Sequence, residues 1–164
     1  MKNDFLHGGA GIPGEINGLT GDLPHGRICV IASRYHAELC DPLAQSAVDT
    51  LLAAGVPARN VHVVRVPGAW EIPLAVKRAI TDLNTIAAIA LGVVIRGETS
   101  HDEHINRAVS QALMQIGLDT QKPVGFGLLT CNTLEQAQAR AGGDVGNKGI
   151  EAAEAVLEML RLSA

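Results

Sequence analysis

The eleven residues from Thr85 to Ile95, TIAAIALGVVI, constrain the fold more than any other segment. They carry no charge and show no alternation of polar and apolar positions. A strand made from them presents two dry faces. That pattern suits a parallel strand covered by helices on both sides, and so a layered α/β architecture.

The flanking sequence agrees. RICVIAS (27–33), NVHVVRV (60–66) and PVGFGLLT (123–130) read as further strands. Between them lie helical patterns. Leu39, Leu43, Ala47 and Leu51 recur at steps of four, with Asp41 as the expected N-cap and Pro42 in the first turn. EIPLAVKRAITDL (71–83) gives a short helix. Ile105, Ala108, Val109, Ala112, Leu113 and Ile116 mark the longest amphipathic stripe. Asn132 or Thr133 opens a helix with a capping box and stops it at Gly142-Gly143. A last helix from about Asn147 buries Ala153, Val156, Leu157 and Leu160 and exposes Glu151, Glu154 and Glu158. Alternating strands and helices imply right-handed crossovers.

A chain of 164 residues divides into a glycine-rich arm, residues 1–26, and one α/β domain, residues 27–164. The arm holds seven of the 18 glycines and no sustained period, so a loose segment is expected, with Ile12, Ile16 and Leu19 available to a neighbour. A net charge of -4 and the absence of any Lys/Arg-rich run argue against nucleic-acid binding. No apolar stretch nears the ~20 residues of a membrane span, and no apolar leader is evident, so a cytoplasmic protein is expected. The three cysteines lack metal-site spacing and read as buried thiols.

Ligands of open α/β sheets bind beyond the carboxyl ends of the strands. Ser33, Arg34, Tyr35 and His36 follow the first strand there. Pro67, Gly68, Ala69, Trp70 and Glu71 follow the second. The chain has four aromatic residues (Phe5, Tyr35, Trp70, Phe126), and two fall at these edges. Two readings fit: a stacking site for a flat ligand, or rings that plug the sheet ends. After the third strand, Gly97-Glu98-Thr99-Ser100 precedes a helix, where backbone N–H groups suit an oxyanion and hydroxyls suit ordinary capping. His101 follows in the first turn. The helix dipole there disfavours imidazolium, which suits a neutral base; the plain alternative is a solvated histidine. His101 and His104 also allow a weak metal reading that lacks a third ligand. Arg140 complements a helix C-terminus by default, and Lys148 and Glu71 are first-turn residues.

VPGAWEIPLAVK, ALGVVIRGETSH, PVGFGLLTCNTLEQAQARAG and GNKGIEAAEAVLEML, in this order, closely resemble the lumazine synthases, over about Arg27 to Leu160. The resemblance implies a flavodoxin-like three-layer sandwich with a four-stranded parallel sheet ordered 2-1-3-4. It implies a transferase that joins 5-amino-6-ribitylaminouracil to 3,4-dihydroxy-2-butanone 4-phosphate, giving 6,7-dimethyl-8-ribityllumazine, with no metal or organic cofactor. A non-catalytic lumazine- or flavin-binding protein on the same fold is the alternative.

Carried over residue by residue, the resemblance makes Tyr35 the ring that stacks on the pyrimidine. Ala69, Trp70 and Glu71 contact substrate, with Glu71 on the ribityl chain and His36 near its hydroxyls. Glu98, Thr99 and Ser100 hold phosphate with Arg140. His101 transfers protons, Phe126 caps the ring and Lys148 lies at the ribityl end. The expected assembly is a homopentamer, and the RAGGDVGNKG spacing resembles members whose twelve pentamers form an icosahedral 60-mer.

Overall fold

The computed structural model describes residues 12–163. Strands β1 (Arg27–Ser33), β2 (Val61–Val66), β3 (Thr85–Ile95) and β4 (Val124–Cys131) form one parallel sheet in the order β2-β1-β3-β4. The order and direction match the sequence expectation. β3 is buried along nearly its whole length, as its uninterrupted apolar run requires.

Five helices cover the sheet: α1 (Ala37–Ala53), α2 (Ile72–Ile80), α3 (His101–Thr120), α4 (Leu134–Arg140) and α5 (Lys148–Leu162). Side chains of β1 alternate between two cores. Ile28, Val30 and Ala32 pack with Leu43, Ala47 and Leu51 of α1 and with Ala153, Val156 and Leu157 of α5. Cys29 and Ile31 pack on the other face with Ile72, Val76 and Ile80 of α2 and Val109 and Leu113 of α3. The result is the three-layer flavodoxin-like sandwich. With only aliphatic side chains available, the helices sit close. A Cβ on Gly149 would overlap the Leu43 carbonyl, and one on Gly125 would come 2.8 Å from the Ala152 carbonyl oxygen. These glycines set the approach of α5 to α1 and to β4.

Several local details depart from the sequence pattern. α1 begins at Ala37, not after Asp41, so Pro42 lies inside it. The helix starts early because His36 turns the chain in the left-handed region (φ 57°) and its carbonyl accepts from both Leu39 and Cys40 N–H. α4 does not simply stop at the glycines. Ala141–Gly143 (β5) pairs antiparallel with Gly146–Asn147 (β6), a small hairpin turned by Gly142 and Gly146 at positive φ. Glu151 and Glu158 of α5 are half-buried rather than exposed, and Glu151 is drawn in by Lys148.

Of residues 1–26, the described part is 12–26. Gly18 is buried against the Glu158 backbone, and Arg161 Nη1 donates to its carbonyl at 3.2 Å. Leu23 packs on the α1/α5 core, while Ile12 and Ile16 stay exposed. Among the described residues, no helix is long and apolar enough to cross a membrane.

Candidate active site

A cavity of about 390 Å³ opens beyond the carboxyl ends of β1, β2 and β3. Each wall comes from a different strand-to-helix junction. β1 delivers Tyr35 and His36; β2 delivers Gly68, Ala69, Trp70 and Glu71; β3 delivers Val93–Ile95 as a floor and then Gly97, Thr99, His101 and Asp102. Tyr35 is 68% exposed and Trp70 59%, so neither ring plugs the sheet end. Both rings line the cavity instead.

The loop carrying Trp70 is held by its neighbour. Glu71 Oε2 accepts from the Gly68 N–H at 2.9 Å, and the Glu71 N–H donates to the Gly68 carbonyl at 3.3 Å, which closes the Ala69–Glu71 turn on itself. The Tyr35 and His36 rings meet edge to face at 4.6 Å. At the third junction, Ser100 is the N-cap of α3 but its hydroxyl caps nothing; Thr99 Oγ1 accepts weakly from the His101 N–H at 3.4 Å. The first-turn N–H groups of α3 are thus left largely unclaimed by side chains, at the positive end of a helix of 20 residues. Asp102, half-buried, also faces the cavity. Sequence reading passed over it, although its place next to His101 in a first turn was a signal. Among the described residues, no group of three His, Cys, Asp or Glu side chains gathers, His101 and His104 included.

Phe126, Arg140 and Lys148 do not line this cavity. Phe126 pairs with Ala90, five residues before Ile95, which places it roughly 17 Å down the strand direction. Its ring lies instead in a second, larger groove of about 850 Å³ between α3, β4 and α5, with Met114, Leu118 and Met159. The cation in that groove, Lys122, is tied to the Ile80 and Asp82 carbonyls at 2.9 and 3.2 Å. The groove therefore offers apolar surface and no acid–base chemistry. Arg140 ends α4 and, among the described residues, donates only to its own helix, to the Gln136 carbonyl at 3.1 Å. Lys148 opens α5, where its Nζ meets Glu151 Oε2 at 2.7 Å. Both flank the β5–β6 hairpin. Glu98 and Ser100 are exposed on the loop beside the cavity without lining it.

Comparison with known proteins joins these observations. The sequence profile of 6,7-dimethyl-8-ribityllumazine synthase matches residues 25–164. A Rhodopirellula baltica protein of that name is 58% identical over 148 residues, covering 90% of this chain and 96% of that one. One from Gemmatimonas aurantiaca is 49% identical over 136 residues, 83% of each chain. One from Xanthomonas oryzae is 45% identical over 144 residues, 87% of this chain and 94% of its own. The sheet order, the ring-lined cavity and these matches agree: the chain belongs to the 6,7-dimethyl-8-ribityllumazine synthase family.

Proposed function

We propose that this enzyme condenses 5-amino-6-ribitylaminouracil with 3,4-dihydroxy-2-butanone 4-phosphate in the cavity at the β1–β3 ends. The products are 6,7-dimethyl-8-ribityllumazine, inorganic phosphate and two waters. The observation that carries the reading is the convergence of Tyr35, Trp70, Glu71 and His101 on one cavity. Tyr35 stacks on the pyrimidine. Ala69, Trp70 and Glu71 complete the pyrimidine and ribityl side, with His36 at the rim. The unclaimed N–H groups around Glu98, Thr99 and Ser100 hold the phosphate. His101 moves protons during imine formation, phosphate elimination and ring closure. No metal or organic cofactor takes part.

Phe126, Arg140 and Lys148 reach a ligand only from a second copy of the chain. The reading is therefore a head-to-tail ring, a pentamer, with each pocket shared between neighbours. The free β4 edge with its apolar groove supports it, as do Val63 and Val64 exposed on the β2 edge. The RAGGDVGNKG spacing supports further assembly into a 60-mer shell, and the proposed location is the cytoplasm. Mixing pure protein with both substrates tests the activity: lumazine absorbance must rise faster than in the uncatalysed mixture. Tight lumazine binding without acceleration would leave a binding protein. A mass no larger than a pentamer by light scattering, across buffers and pH, would remove the shell.

A further inference from the structure

Ser33 and Thr85 are the buried polar residues of the described chain, and Ser33 is 1% exposed. It closes β1 just before the cavity. Its Oγ accepts from the Tyr35 N–H at 3.1 Å and donates to the Tyr35 carbonyl at 3.3 Å. Both functions of one hydroxyl are thus spent on one residue. This is a side-chain-closed turn at the point where the sheet ladder ends.

Two other elements hold the same backbone. The Tyr35 N–H also reaches the Pro67 carbonyl at 3.1 Å, and the Arg34 N–H reaches Val66 at 2.8 Å, which extends the β1–β2 ladder past the strand. From α1, the Cys40 thiol points at the Tyr35 carbonyl at 3.4 Å. The next residue, His36, sits at φ 57°, ψ 50°. A non-glycine residue persists there only where its surroundings fix it. The Tyr35 ring itself makes no hydrogen bond among the described residues. Its direction is set by this backbone and by the edge of the His36 ring.

We propose that Ser33 is a positioning residue for substrate recognition: its buried hydroxyl fixes the turn that aims the Tyr35 ring at the pyrimidine. The proposal rests on the reading of Tyr35 as the stacking ring. Ser33→Ala leaves no orphaned group, because Pro67 and Cys40 still serve Tyr35, so the variant folds. What it loses is the constraint on the turn.

The test is a double-mutant cycle on the assembled full-length protein, read by calorimetric titration with 5-amino-6-ribitylaminouracil under anaerobic conditions. Ser33→Ala should weaken pyrimidine binding about fivefold, the net worth of a neutral hydrogen bond. KM for the butanone phosphate should not move. The loss should vanish in a Tyr35→Ala background, because the hydroxyl acts through the ring. An unchanged affinity in Ser33→Ala overturns the proposal. So does a loss of the same size with and without the Tyr35 ring, since Ser33 would then be a general structural residue. If Tyr35→Ala itself binds pyrimidine as the wild type does, the stacking role falls first and the proposal falls with it.

Discussion

If each pocket takes Tyr35 and His101 from one chain and Arg140 from the next, two inactive proteins can repair each other. One parent carries Tyr35→Ala with His101→Ala. Stacking on an aromatic ring is worth ~1–3 kcal/mol and positioned acid–base help ~10²-fold or more, so this parent is close to inactive. The other carries Arg140→Ala and loses charge-assisted bonds worth ~1.5–3 kcal/mol, roughly tenfold or more in use of the phosphate substrate. The cavity holds the first pair and excludes Arg140, so the two halves of a shared site come from different chains at every interface. After dissociation and random reassembly of equal amounts, half the pocket donors and half the edge donors are intact. About one quarter of the sites then has both halves, and activity should return to about a quarter of wild type. The assay is lumazine absorbance against time, with mixing verified by a mass tag on one parent. Activity that stays at the mean of the two parents despite verified mixing refutes the shared site. Each pocket would then be built within one chain.

Four further outcomes are expected. Gly149→Ala must push α5 off the Leu43 carbonyl; overpacking costs ~1–3 kcal/mol, a fall in Tm of at least about 2 °C by calorimetry. His36→Gly relieves the left-handed turn and should raise Tm while weakening pyrimidine binding, because the ring edge against Tyr35 is gone; a lower Tm would contradict the strain argument. The Asp82 carboxyl is held below its ordinary range by the Asn84 N–H first and by Arg27 next. A depressed folded-state value stabilises above the unfolded aspartate range and is lost as pH falls through the folded value, so Asp82→Asn should flatten the decline of Tm below about pH 4. Burial pushes the Cys40 thiol up to about 11, and Cys29 and Cys131 are buried too, so iodoacetamide at pH 8 should label none of the three in the native protein and all three after unfolding.

The sandwich was legible where periodicity was unambiguous. β3 announced itself by a run too apolar for an exposed face, and α3 by its stripe from Ile105 to Ile116. The start of α1 was not legible. Pro42 imitates a first-turn proline, and nothing local reveals that Ser33, Pro67 and Cys40 hold the Tyr35 backbone, so that His36 opens the helix one turn earlier. The cavity residues of the first three junctions were readable from topology alone, since they follow strand ends. Separation of Phe126 and Arg140 from them followed only from the strand order that the family resemblance implies, not from any pattern in the chain. The second groove escaped notice because Met114 and Leu118 lie off the core stripe of α3. The β5–β6 hairpin escaped because strands this short carry no period.

The placement of aromatic rings has an optical consequence. Trp70, the one tryptophan, and Tyr35, the one tyrosine, both face the cavity, and the two cores contain no ring. Near-ultraviolet absorption, fluorescence and near-ultraviolet dichroism of this protein therefore come almost wholly from the cavity beyond the β1–β3 ends. Far-ultraviolet dichroism comes from the sandwich. A thermal melt followed in both windows separates loosening of the three junctions from loss of the sheet, with no label introduced. The temperature interval between the two transitions measures how independently the site opens from the fold that carries it.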